Sequence, residues 1–238
     1  RHNGPESLAN TVRRYGPGLI AVDAVYSTNG DICPLREIVE IAERYGCMTI
    51  VDESHAVGIR GDHGGGLADE LRLAPRINFR TFSLSKAFVG RGGVVAGSAA
   101  AMEYFRYQSR PAIFSSAVLP YEIAGFATAL QIARDDDWRR VAVRRNANYL
   151  RPRLAALGCS VGNNDSPIIA LVAGSEERTA QLRDRLEDRN IFGAVFCAPA
   201  TPKNRALVRL TVNAGIATAA LDQVVAALAD IKRDTDLI

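Results

Sequence analysis

The chain has 238 residues, 47% of them hydrophobic, and its 29 basic and 26 acidic side chains leave a formal charge of +3. That is enough apolar material for one large or two modest cores, and no basic block or tail points to nucleic acid or a membrane surface. No run of about 18 apolar residues could span a bilayer, no signal segment opens the chain, and Cys33, Cys47, Cys159 and Cys197 form neither a CxxC pair nor a compact disulfide framework, so a cytoplasmic protein with reduced thiols is expected.

In chain order, residues 5–15 are amphipathic, and 18–23 (GLIAVD) form a nearly continuous apolar run, the pattern of a parallel strand buried on both faces. Residues 26–31 (YSTNGD) read as a polar turn. Residues 34–45 have helical spacing, with Leu35, Ile38, Val39 and Ile41 apolar, and Gly46 stands where a C-cap glycine belongs. A second apolar run, 47–51, ends at Asp52. Strand, helix and strand in about 35 residues predict a βαβ unit with a right-handed crossover.

A glycine-rich loop at 58–66 is followed by a short helix near 67–73 and strands at 78–84 and 94–98. This half is therefore expected to be a layered α/β sheet. Helical spacing over 120–135 and 138–157 is interrupted by the acidic run Asp135 to Asp137. Strands near 167–172, 192–197 and 207–213 then alternate with helices at 176–189 and 218–232, a smaller α/β unit. The expected boundary gives domains at 1–136 and 137–238.

Asp52, Glu53, Ser54 and His55 lie just past the carboxyl end of a predicted strand, the edge at which open α/β sheets bind ligands. An aspartate and a histidine three apart equally suit a structural turn with a helix cap, and a third ligand at metal spacing is lacking. In 81–93 (TFSLSKAFVGRGG), Lys86 follows a strand, Ser83 precedes it by three residues, and Gly90, Gly92 and Gly93 permit close approach of a ligand to the backbone. An isolated lysine after a strand is ordinarily just solvated. Together these residues suit one phosphorylated ligand, the hydroxyl binding its phosphate while the amine reaches its aldehyde.

The combination of VDESHAVG, SLSKAFVGRGG and YSTNGD resembles fold-type-I pyridoxal-phosphate enzymes of the α-oxoamine synthase family. Within it, RYGPGLIAVDAVYST, GCMTIVDESHAVG, AIFSSAVLPYEIAG and GAVFCAPATPKN resemble the α-hydroxyketone quorum-sensing autoinducer synthases of the cholera autoinducer type. The resemblance runs from near the first residue to Asn213. It implies the carboxyl-terminal part of a mostly parallel large domain, followed by the small C-terminal α/β domain.

It also implies roles. Lys86 would hold pyridoxal 5'-phosphate as a Schiff base and move the substrate Cα proton. Asp52 would keep the pyridine nitrogen protonated, so that the ring acts as an electron sink. His55 would hydrogen-bond the phenolic oxygen, Ser83 the phosphate, and Ser27 matches another cofactor-contacting serine. Arg209, in LVRLTVN, matches the arginine that grips the amino-acid carboxylate, a task suited to a bidentate guanidinium; an arbitrary arginine would be read as an ordinary one on an edge strand, and the surrounding match favours the functional reading. Ser115 and Ser116 match the region from which a neighbouring subunit reaches the phosphate, implying a homodimer with its active sites at the interface. One extra residue before Pro120 leaves open which of the two serines does so.

The implied reaction is a decarboxylating condensation of an amino acid, 2-aminobutyrate or S-adenosylmethionine, with a medium-chain acyl-coenzyme A. Its α-aminoketone product would lead to an α-hydroxyketone autoinducer. Alternatives are an 8-amino-7-oxononanoate synthase or 2-amino-3-oxobutyrate ligase, an aminotransferase on the same fold, and a non-catalytic dimerisation module. Asn213 and Ala214 occupy a region where many relatives have a histidine, and Arg91 stands where biotin- and threonine-pathway members have a small residue but autoinducer synthases have arginine. These departures favour the autoinducer reading. His2 and His63 read as surface residues. The family's phosphate loop and ring-stacking residue normally precede the region at which Arg1 begins, so the chain is expected to be a piece of a longer protein that binds the cofactor weakly alone.

Overall fold

The computed structural model describes residues 1–237. They form two compact units, one of residues 1–25 and 33–137, the other of 26–32 and the chain from Trp138 onward. The polar turn at 26–31, placed by sequence in the first portion, thus groups with the second unit as part of 26–32. Gly30 shows the physical reason: its φ of +77° suits glycine, and a Cβ there would come 2.6 Å from the Ile168 carbonyl oxygen.

The first unit contains α1 (Pro5–Tyr15), β1 (Leu19–Asp23), α2 (Leu35–Tyr45), β2 (Met48–Asp52), α3 (Leu67–Glu70), β3 (Phe79–Ser83), β4 (Gly93–Gly97), α4 (Ala99–Gln108), α5 (Arg110–Ile113) and α6 (Pro120–Asp135). Its sheet has the order β1-β2-β3-β4, with β1, β2 and β3 parallel and β4 antiparallel to β3. The expected βαβ unit is β1-α2-β2, and α2 buries Leu35, Ile38, Val39, Ile41 and Ala42 as one stripe.

Burial on β1 and β2 differs from expectation. Ile20, Thr49 and Val51 are buried, whereas Leu19 and Met48 are more than half exposed, so one face is covered and the other is open among the described residues. An apolar run reports what both faces are made of, and packing decides which is covered. Helices α4 and α5 were not legible in the sequence: α4, α5 and α6 bury no residue, and they carry exposed Tyr104, Phe105, Tyr107, Tyr121 and Ile123.

The second unit contains α7 (Asp137–Ala156), β5 (Ile168–Gly174), α8 (Glu176–Glu187), β6 (Ala194–Phe196), β7 (Ala206–Thr211) and α9 (Thr218–Asp234). Its antiparallel sheet has the order β5-β7-β6. Leu150 and Leu154 of α7, Ile169 and Leu171 of β5, Leu182 and Leu186 of α8, Val208 of β7 and Leu228 and Ile231 of α9 form one core. Each such burial contributes about 1.5–3 kcal/mol. The buried Arg151 guanidinium donates to the carbonyls of Val161, Ser166 and Ile168 at 2.6, 2.7 and 2.9 Å, fastening α7 to the segment before β5.

Candidate active site

The parallel register places Asp23, Asp52 and Thr81 side by side at the carboxyl ends of β1, β2 and β3. Laterally paired residues of parallel strands share a face, so this row meets one region of space. The Asp52 carbonyl accepts the Ala24 N–H at 2.7 Å, and the Thr81 carbonyl accepts the Glu53 N–H at 2.6 Å. Side-chain bonds complete the hold: the Thr81 hydroxyl donates to Asp52 Oδ2 at 2.8 Å, and the Ser54 N–H donates to Oδ1 at 2.9 Å.

Beyond Asp52 the chain turns at once, with the Ala56 and Val57 N–H groups donating to the Glu53 carbonyl at 2.8 and 2.9 Å. This turn carries half-buried His55. The structural reading of the Asp–His pair is present in part, because Asp52 caps a local turn; each of its oxygens retains further accepting capacity. Glu53 points the other way and is fully buried. Its oxygens accept the N–H groups of Leu67 and Ala68 at 2.9 and 2.8 Å, and Arg80 approaches at 3.2 Å. Burial outweighs these favourable partners and leaves the Glu53 carboxyl above its ordinary pKa.

Lys86 is exposed on the hairpin between β3 and β4. The hairpin is closed by Leu84 N–H to Gly92 O and Gly90 N–H to Leu84 O, both 2.9 Å. Phe88, 7% exposed, anchors it, and its ring centroid lies 6.1 Å from that of Phe82. Gly58, at φ +81°, lets the turn after His55 approach the hairpin, since a Cβ there would lie 2.7 Å from Ala87 Cβ. Ser83 donates its N–H to Ser54 Oγ at 2.8 Å, and its hydroxyl lies 2.7 Å from that of Ser85. The first unit thus gathers Asp52, His55, Ser83 and Lys86. Burial, then the Asp52 charge, raises the Asp23 pKa, while the Lys86 charge opposes that rise.

Ser115 and Ser116 are exposed between α5 and α6, and no hydrogen bond among the described residues ties them to the Lys86 hairpin. In the second unit Ser27 and Arg209 come together through the backbone, with Arg209 Nη1 donating to the Ser27 carbonyl at 2.7 Å. Arg209 lies on the central strand of its sheet, which corrects the edge-strand alternative. Its guanidinium carbon sits 4.7 Å from the Phe196 ring centroid, its buried Nε has no hydrogen-bond partner, and burial holds its pKa below the ordinary arginine value. Among the described residues no group of three or more His, Cys, Asp or Glu is placed to hold a metal, and no helix is long and apolar enough to cross a membrane.

Two members of the site had no assigned part in the sequence reading. Asp23 and Thr81 become visible through strand register, for which the shared aspartate at the end of GLIAVD and MTIVD is the available sequence signal.

A family model described as aminotransferase class I and II matches residues 2–228. The chain belongs to this family. As a member of the aminotransferase class I and II family it is 42% identical over 226 residues to a CAI-1 autoinducer synthase of Vibrio campbellii, covering 95% of this chain and 57% of that protein. It is 35% identical to an 8-amino-7-oxononanoate synthase of Symbiobacterium thermophilum, covering all of this chain and 62% of the relative. Among solved structures, a serine palmitoyltransferase of S. paucimobilis described with a bound PLP–myriocin compound superposes at TM-score 0.95 with 30% identity, covering 100% of this chain and 61% of that one. These relatives agree with the α-oxoamine synthase resemblance, and the fold is the α/β fold of fold-type-I pyridoxal-phosphate transferases. The family member in hand spans about three fifths of the length of these relatives.

Proposed function

We propose that this chain carries the chemical half of a pyridoxal-phosphate-dependent acyltransferase that condenses an amino acid with a medium-chain acyl-coenzyme A. The α-aminoketone product is the precursor of an α-hydroxyketone quorum-sensing signal. The observation that carries this reading is Asp52, with both oxygens held at the carboxyl edge of the parallel strands in the unit whose next hairpin presents Lys86. The 42% identity to a CAI-1 autoinducer synthase favours that branch over the other acyltransferases, with 2-aminobutyrate or S-adenosylmethionine as amino donor.

The donor set suits the cofactor: a fixed carboxylate for a ring nitrogen, an exposed amine for an aldehyde and a hydroxyl pair for a phosphate. Bound there, pyridoxal 5'-phosphate would supply an electron sink for negative charge at the substrate Cα. Asp52 would hold the proton on the pyridine nitrogen, His55 would hydrogen-bond the phenolic oxygen, Ser83 would bind the phosphate, and Ser27 would be a further cofactor contact. Lys86, once its amine is free, would take and return the Cα proton. Arg209 would grip the amino-acid carboxylate through its planar guanidinium.

The proposed assembly is a cytoplasmic homodimer in which Ser115 or Ser116 reaches the partner's phosphate, with 1–136 belonging to the large domain and 137–238 forming the small one. The exposed aromatic residues of α4 and α6 support a face covered by a second copy, and four free cysteines suit a reducing compartment. The test is incubation of the full polypeptide with decanoyl-coenzyme A and each donor while thiol release is followed. Release with one donor is expected, and none with any donor refutes the reading. Preference for pimeloyl-coenzyme A would move the enzyme to the 8-amino-7-oxononanoate synthases, and turnover of an oxoacid instead of a thioester would make it an aminotransferase.

A further inference from the structure

We propose that Thr81 is a positioning residue for the cofactor site, acting through Asp52. This role rests on the cofactor reading above. Asp52 has two in-register neighbours of opposite character, Asp23 on β1 and Thr81 on β3. The Asp23 carboxylate is a like charge beside it, and burial first and the Asp52 charge second raise the Asp23 pKa. On the other side the Thr81 hydroxyl donates to Oδ2 at 2.8 Å while the Ser54 N–H holds Oδ1 at 2.9 Å.

Thr81 is thus the side chain that draws the carboxylate toward β3 and away from Asp23. With one donor on each oxygen, the carboxylate plane is fixed, and so is the direction of its remaining lone pairs. A strand position needs only a β-branched side chain, which valine supplies equally well. The hydroxyl is what local structure leaves unexplained.

The experiment compares wild type, Thr81→Val and Thr81→Ser in the full polypeptide. Pyridoxal 5'-phosphate is titrated in, and affinity, the borohydride-sensitive visible absorbance band and the visible circular dichroism per bound cofactor are read. Thermal unfolding of each apo-protein is measured alongside. Thr81→Val is expected to bind the cofactor roughly tenfold more weakly, the scale of one hydrogen bond to a charged group, and to lose visible circular dichroism at saturation with little change in melting. Thr81→Ser restores both. A wild-type dichroic signal and affinity in Thr81→Val overturns the role, as does equal loss in the valine and serine variants. If Thr81→Val does not fold, Thr81→Ala replaces it as the hydroxyl-free member of the comparison. A wild-type protein with no borohydride-sensitive band would overturn the cofactor reading itself, and this role with it.

Discussion

Glu53 offers a sharp stability test because its charge and its accepting capacity make different predictions. Its buried carboxylate accepts two backbone N–H groups, from Leu67 and Ala68, and meets Arg80 at 3.2 Å. Truncation by Glu53→Ala strands those donors and removes the partner of a largely covered guanidinium, so a loss of about 3–5 kcal/mol is expected. Glu53→Gln keeps one acceptor and the side-chain volume. Burial already raises the Glu53 pKa against the pull of its partners, so the charge itself adds little, and the glutamine variant, which strands one of the two backbone donors instead of both, should lose about 1–2 kcal/mol. A raised folded pKa means the contribution is full below the unfolded value, near about 4.3, and is lost as pH rises through the folded value. The stability gap between wild type and Glu53→Gln should therefore widen in favour of wild type as pH falls through that window. Urea unfolding monitored by circular dichroism reads both effects as midpoints at constant slope. Equal losses in the alanine and glutamine variants, or a gap that narrows on acidification, would refute the reasoning.

Arg209→Lys keeps a positive charge but not the planar Nε edge, so KM for the amino donor should rise at least about tenfold with kcat little changed; an unchanged KM would remove Arg209 from substrate binding. Val89 holds φ at +54° and is 87% exposed. Relief of that strain by Val89→Gly should outweigh glycine's entropy and stabilise the protein by about 1 kcal/mol, read as a higher melting temperature; a lower one would show that its side chain matters more than its backbone. The Cys33 thiol is pushed up to about 12 by burial, then by Asp23, Glu37 and Glu53. In native protein near neutral pH it should resist iodoacetamide while half-buried Cys47 and Cys197 react, and labelling of Cys33 at their rate, read by peptide mass, would contradict the burial.

Elements that declare themselves by local period were legible, as α2 shows: the sequence pattern of Leu35, Ile38, Val39 and Ile41 is the buried face, to which the structure adds Ala42. Helix α4 has no such correspondence. AAAMEYFRYQ spreads aromatic residues around the helix and buries none of them, so there is no stripe to detect. The turn at 26–31 was legible as a turn but not as part of the second unit, because that grouping depends on Gly30 meeting Ser166 and Ile168 more than 130 positions later in the chain.

The candidate site divides along the same line. Lys86, Asp52 and His55 can be named from sequence because their side-chain chemistry is their proposed role. Thr81 cannot, since a threonine in a strand is ordinary and becomes informative only by pairing with Asp52, 29 positions away. That pairing is secured at the opposite end of the same strands. Asn78 Oδ1 accepts the Thr49 N–H at 2.8 Å, and the Asn78 N–H donates to Thr49 Oγ1 at 3.1 Å, with Thr49 only 2% exposed. A slip of one residue would set Arg80 or Phe82 opposite Asp52 and turn the Thr81 hydroxyl to the other face. The Thr49–Asn78 lock therefore does more than satisfy buried polar groups. It fixes which β3 side chain meets the Asp52 carboxylate, and so links the register of the sheet to the geometry of the site.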